Sequence, residues 1–561
     1  MLFASRAEAQ QAAVPSAVPV IQVASAGRVY SYARSPSGTA IETLGDTWAP
    51  AEPADFGHWG FYEPGAHDVN PAMTGTIRLT GMITVSQTVI LRSRCIVLGD
   101  NEHLCGFRAA PGMNADLVRT EGFDLLTGTG KYLLAEGVPY GFGLRHLTLD
   151  GNKAENETGR GLVVFGKGYF LNGVIIKNTA GGGWYSECGM PKAFTAAEDI
   201  PEGDIGPVTM TRCGFRGNGT GYGLVYKGPA DARISSVVVA ECDGNGMEFI
   251  TDYATFNGKC DLGFAHVYAA WRKGVVWQAG GTATHIIGES CDEEGILVQG
   301  WDAQIGKTEA YRNCIRAATH GRDFGVYVDG GGHSLGQIEV RDGARGVNGV
   351  NITASRITAD IYSDGGGSPG VGVTNTGTLN RLSGRVKRYG VALDLSGRDN
   401  TYGFTVDDCG AAVNVGTASD GVRARITASL SGGQVLTGAE PISAAALNKA
   451  TSEWDIAARV GTEYVLTRQR IKSAGHFNAA APAGTFSTII VPHKCPFIPD
   501  PEDISVGVVF DNGSGGAASG APAATATIAS ITDTAITVRY HIVRPGAGGT
   551  RGFVTAQIHY A

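Results

Sequence analysis

The sequence predicts an all-β chain: a right-handed parallel β-helix with a short N-terminal segment and a C-terminal β-sandwich. Three observations lead there. Glycine is abundant, 83 residues against 22 prolines, and is scattered through apolar runs instead of forming a linker or a collagen-like triplet. A glycine followed by alternating apolar residues returns repeatedly, at Gly161, Gly223, Gly246, Gly274, Gly295, Gly325, Gly370, Gly390 and Gly410. Neighbouring copies lie about 20 to 30 residues apart, or about twice that where a copy is degenerate, which is a solenoid period.

Between these copies sit other short β-branched runs such as Ile234 to Val239, His285 to Ile287 and Val350 to Thr353, bounded by Gly, Asn or Asp. Two or three strands per coil, with no helical spacing, make the parallel β-helix the economical solution; the LxxLxLxxN pattern of a leucine-rich repeat is absent. Side chains alternate along a strand, so the first and third residues after each glycine point inward. The inward column then reads Leu224/Tyr226, Met247/Phe249, Val275/Trp277, Ile296/Val298 and Val326/Val328. This makes Trp277 a packing residue.

The expected organisation is an N-terminal segment over residues 1–60, the β-helix over 61–440 with a capping helix near Asp68 to Thr74, and a connecting segment over 441–475. Residues 476–561 alternate strongly in four runs and read as a small β-sandwich. Asn512 to Ala524 reads as a flexible loop, and Ala445 to Val460 as helix or strand.

Charged residues make up 17% of the chain and the net charge is −8, without a long basic run, which argues against nucleic-acid binding. No apolar stretch has the length of a membrane span, and MLFASRAEAQQAAVP lacks a signal-peptide core. Ten cysteines are too sparse for a disulfide scaffold, and no Cys or His spacing suits zinc, so neither metal nor cofactor is expected. Cys188, Cys213, Cys242, Cys260, Cys291 and Cys314 recur at coil-length intervals and read as small buried side chains.

The segment GTIRLTGMITVSQTVILRSRCIVLGDNEHLCGFRAA, Gly75 to Ala110, resembles the entry of pectate-lyase-like β-helix proteins, and RHLTLDGNKAENETGRGLVV, Arg145 to Val164, resembles a Leu-x-Leu-Asp-Gly-Asn coil of that superfamily. The start, FASRAEAQQAAVPSAVPVIQVASAGRVYSYARSP, resembles the particle-attachment end of bacteriophage tailspikes, with a short helix followed by strands. FGHWGFYEPGAHDVN stands where such β-helices commonly carry Gly-Asp-Gly-x-x-Asp-Asp-Thr. The resemblance implies a homotrimeric virion tail protein, assembled in the host cytoplasm and acting outside it. It would attach through its N-terminus to a tail or baseplate protein, and bind and cleave a bacterial surface polysaccharide. A binding-only spike and a secreted polysaccharide lyase are the other functions in view.

Cutting a glycan takes two carboxyl groups facing one bond, about 5 to 5.5 Å apart for retention of configuration and about 6.5 to 9.5 Å for inversion. The candidate acids, counted from the coil glycines, are Glu248, Asp252, Asp302, Glu293 and Glu294, with Asp292 in the same acidic turn. Asp252 and Asp302 are expected about 9 to 10 Å apart on one face. Trp301, Tyr327, Trp271 and Tyr253 are candidate sugar-stacking rings, with Arg272, Gln278 and Gln299 as hydrogen-bonding partners. Fragments of polygalacturonase signatures occur in the wrong order, and no GxSxG elbow is present.

Overall fold

The computed structural model describes residues 1–25, 28–34, 41–43, 46–50, 60–62, 65–66, 75–125, 133–135, 137–191, 203–215, 220–229, 232–250, 260–278, 280–315, 324–341, 348–416, 419, 421–430, 434–437, 453–460, 463–465, 476–478, 486–492, 504–511, 523–531, 535–544 and 551–558. The expected capping helix, Asp252 and Tyr253 lie outside the described residues. The chain divides into two compact units, Met1–Glu309 with Asn313–Arg322, and Ala310–Arg312 with Asp323–Ala561.

The first unit opens with a short helix, Arg6–Gln10, whose N-terminus is capped by Ser5 accepting from the Glu8 amide. A five-stranded sheet follows; Leu2–Phe3 pairs parallel with Val20–Ser25, and the remaining neighbours are antiparallel. From Gly60 the pairing becomes parallel and advances one coil at a time. Each later coil contributes a short strand and a longer, bent one. The short strands stack in the register Trp184, Leu224, Met247, Val275 and Ile296. The long strands stack as Val174, Val208, Val237, Ala265 and Ile286. This is the right-handed parallel β-helix. Gly263 marks a bend, where a Cβ would come within 2.4 Å of the Ser235 carbonyl oxygen.

The inward column is as the alternation requires. Met247, Phe249, Val275, Trp277, Ile296 and Val298 are all fully buried. The rings stack from coil to coil, with centroids 6.0 Å apart for Trp184 and Tyr226, 6.0 Å for Tyr226 and Phe249, and 4.9 Å for Phe249 and Trp277.

A second regularity sits where each long strand ends. Asn178, Arg212, Glu241, Ala269 and Ser290 all take left-handed backbone angles, φ between 50° and 57°, and the first four donate their amides to the next coil. The residue that follows turns inward: Thr179, Cys213, Cys242, Ala270 and Cys291, each at most 3% exposed. Small side chains fill this corner on these five coils, which accounts for Cys213, Cys242 and Cys291; Cys188 and Cys260 lie on strands, and Cys188 is half-buried. Burial pushes the thiols up, to about 11 for Cys213 and about 12 for Cys291, so they are inert packing groups.

The second unit continues the same architecture on its own strands, with Val350, Val373, Leu393, Val413 and Leu436 in one register. One of its corners again holds a buried thiol, Cys409 after left-handed Asp408, and other turns use buried amides. Asn380 donates to the Ala354 carbonyl and Asn400 to that of Gly377, both at 2.9 Å. Glu453–Val460 is a strand in this stack. Two three-stranded antiparallel sheets then form from His476–Asn478, Arg551–Ile558 and Ile504–Asp511, and from Phe486–Pro492, Ala535–Arg544 and Ala523–Ile531. They make up the C-terminal sandwich.

Candidate active site on the outer face of the short strands

Alternation that sends Trp184 and Ser186 inward sends Tyr185 and Glu187 outward on the same strand, Trp184–Pro191. The next coil places Lys227 opposite Glu187. Lys227 Nζ donates to the Tyr185 hydroxyl at 2.9 Å and to Glu187 Oε1 at 3.2 Å, and the Tyr185 hydroxyl donates to the same Oε1. The second oxygen, Oε2, is buried and accepts no hydrogen bond among the described residues, although the Glu187 side chain is only 5% exposed. Leaving such an atom unpaired costs about 1 to 3 kcal/mol, more for a charge, which makes Glu187 a candidate for contact with a bound group.

Rings and a guanidinium wall this carboxylate. Arg160 lies over Phe123 at 5.0 Å and over Tyr185 at 5.4 Å, while Tyr222 faces Tyr185 at 6.4 Å. Both oxygens of Asp116 are held by Arg160, Oδ1 by Nε at 2.9 Å and Oδ2 by the terminal nitrogen at 2.8 Å. Burial opposes the Arg160 charge, but Asp116 outweighs it and raises the pKa. Burial raises the Tyr185 phenol, and Glu187 raises it further. Burial works to lower Lys227, yet its bonds to Tyr185 and Glu187 leave it above its ordinary value. The site therefore combines one available carboxylate oxygen with a phenol and an ammonium that keep their protons across neutral pH.

The expected acids fare differently. Glu248 is half-buried on the outward side, two coils from Tyr185 in the same column, and accepts from Asn245 Nδ2 at 2.7 Å. Asp292, Glu293 and Glu294 are not the exposed cluster that the sequence suggested; they are 8, 7 and 0% exposed. They fall in the tight turn ahead of a short strand, where Lys273 Nζ donates to Glu293 at 2.6 Å and stands 3.8 Å from Glu294. Arg272 approaches Glu293 at 3.9 Å from an exposed position. Asp302 is exposed with a left-handed φ of 59°. It follows a strand four rungs from that of Glu187, about 19 Å away, beyond the spacing of a catalytic pair.

Among the stacking candidates, Trp301 is 61% exposed and Trp271 half-buried. Tyr327, in the second unit, is half-buried with its ring 6.1 Å from Phe324. Gln278 donates to Gln299 across adjacent coils at 2.8 Å. A further titratable group, on the long strands, was not foreseen. His266 lies 3.5 Å from Glu289, and His285 lies 3.1 Å from Glu309, which also holds Lys307. Here each carboxylate has a cross-coil partner, so the group reads as a ladder of pairs. Glu187 had a sequence signal too: Gly183-Trp-Tyr-Ser-Glu is another copy of the glycine repeat, hidden because a serine fills an inward position.

A right-handed parallel β-helix with an outward carboxylate–phenol–ammonium site is thus the class of protein that fold and site define. No protein family and no curated protein sequence matches the chain. Among solved structures the chain is similar to the A-module of mannuronan C-5 epimerase AlgE6 from Azotobacter vinelandii, at 14% identity over 67% of this chain and 97% of that one, TM-score 0.37. It is also similar to the Dettilon tailspike protein, at 8% identity over 87% and 88%, TM-score 0.35. A third is tailspike protein gp49 of Acinetobacter baumannii bacteriophage Fri1, a capsular polysaccharide depolymerase, at 9% identity over 99% and 97%, TM-score 0.26.

Proposed function

We propose that the protein is a tailspike-like depolymerase that binds a bacterial surface polysaccharide, a capsule, exopolysaccharide or O-antigen, and cleaves it on the outer face of the short strands. The observation that carries this reading is the buried Glu187 with one oxygen held by Tyr185 and Lys227 and the other unpaired. Such a carboxylate transfers a proton to or from a substrate group placed against Oε2. Glu248, two rungs on and two residues earlier along its strand, supplies the second carboxyl; the two backbone positions are about 12 Å apart, and side chains leaning together would give the wide spacing of an inverting hydrolase. Asp116 is excluded from that role by its two-point bond to Arg160.

One observation favours a second reaction on the same site. A phenol and an ammonium beside a lone carboxylate also suit β-elimination from a uronate, in which a base takes the ring proton, an acid protonates the leaving oxygen and a cation offsets the substrate carboxylate. Incubation with purified capsular and O-antigen polysaccharides separates the readings. New reducing ends without unsaturated uronate absorbance indicate hydrolysis, and reducing ends with it indicate elimination. Adsorption without either leaves a binding-only spike. Glu187→Gln is expected to lower turnover by about 10² to 10⁴ while leaving binding nearly intact. Undiminished cleavage by that variant would sink the assignment of the site. Attachment through the N-terminal sheet and assembly as a homotrimer on the virion complete the proposal.

A further inference from the structure

The register places more than Lys227 opposite Glu187. Tyr226, Phe249, Trp277 and Val298 form one inward column, so the residues that follow them, Lys227, Ile250, Gln278 and Gln299, form one outward column. Backbone bonds carry the ladder through these positions: the amides of Ile250, Gln278 and Gln299 donate to the carbonyls of Tyr226, Phe249 and Trp277. All four side chains are half-buried. In the neighbouring outward column Val225, Val276 and Leu297 are 7, 5 and 3% exposed, and only Glu248, between the first two, is half-buried. A half-buried strip, polar except at Ile250, therefore leads from the Glu187 site along successive coils, beside a wall that is apolar except at Glu248.

The strip ends at two features that the helix itself does not need. Gln278 and Gln299 are joined amide to amide at 2.8 Å, and two residues beyond Gln299 the indole of Trp301 stands 61% exposed. An aromatic ring left in water beside paired amides is the chemistry that receives a pyranose, with the apolar sugar face on the indole and hydroxyls at the amides.

We propose that Gln278, Gln299 and Trp301 form a second sugar subsite that makes recognition depend on glycan length; this rests on the polysaccharide reading above. From Lys227 to Gln299 is three rungs, about 14 Å. One sugar is taken per rung, ~4.8 Å. A chain bound at both places thus spans about four to five sugar units, and shorter fragments reach only one of them.

The test uses the full chain and size-fractionated oligosaccharides prepared from whichever capsular or O-antigen polysaccharide in the panel the protein binds. Wild-type affinity is expected to rise with length up to about five units and then level off. Trp301→Ala is expected to abolish that rise, weakening long fragments about tenfold, a typical loss for a buried aromatic anchor. The loss for two-unit fragments should be smaller, since these reach only one of the two places. A Gln278→Ala/Gln299→Ala double variant should act in the same direction, with light scattering and thermal melting as controls for folding. Cleavage with no length dependence, or a Trp301→Ala variant that binds long fragments as wild type does, overturns the subsite and leaves the Glu187 reading standing. Length-dependent binding lost in Trp301→Ala, with cleavage undiminished in Glu187→Gln, does the reverse. A Trp301→Ala variant whose oligomeric state changes assigns the indole to a subunit contact and also overturns the proposal.

Discussion

Single residues of this chain are tuned by what touches them. Tyr185 and Lys227 both hold their protons more tightly than free side chains, the first through burial and Glu187, the second through Tyr185 and Glu187 against the pull of burial. If the protonated pair is the working form, the alkaline limb of the kcat/KM profile should fall no earlier than the ordinary range of these groups, about 10. A limb near neutrality would remove the pair from the chemistry. Backbone strain gives a second residue-scale outcome. Ala269 occupies the left-handed corner that Asn178 fills more easily, at a cost of about 1 to 2 kcal/mol for an L-residue with a Cβ. Ala269→Asn, which tolerates that conformation, is expected to raise the thermal midpoint by a few degrees, and a fall in the midpoint would show that the corner is not strained.

At the scale of the strand, stability comes from columns. Phe249 is fully buried between Tyr226 and Trp277, at 6.0 and 4.9 Å. Phe249→Ala opens a cavity that neighbours held by parallel ladders on both sides cannot fill, and should cost about 3 to 5 kcal/mol in denaturant unfolding. A cost under about 1 kcal/mol would mean that the column relaxes freely. The same alternation made these strands legible in the sequence, because glycine followed by inward apolar residues is a period-two signal that needs no knowledge of the partner strand. The site was less legible. The sequence tells that Glu248 and Glu293 are acidic, but burial of Glu293 depends on Lys273, twenty positions earlier and one coil away. Glu187 escaped notice because Ser186 breaks the apolar pattern, and Ser186 is buried by bonding the Gly228 carbonyl and the Tyr169 hydroxyl. Polar residues satisfied inside the column are invisible to a reading that scores hydrophobicity alone.

For the whole molecule the open question is what the C-terminal sheets do. Each has three strands, and sheets so small gain stability by packing against something more. In one of them Ala523–Ile531 is an edge strand whose side chains from Thr525 to Ile531 are exposed or half-buried. An edge with no strand beside it among the described residues is a place where another chain can pair, and symmetric assembly is a regular way of covering it. The assembly proposed above is a homotrimer. Multi-angle light scattering at micromolar concentration is expected to give three times the chain mass, and removal of residues 476–561 to shift the remaining protein toward the single-chain mass. A full-length protein that runs as a monomer would leave these sheets as caps only, and would require that any polysaccharide groove be complete within one chain.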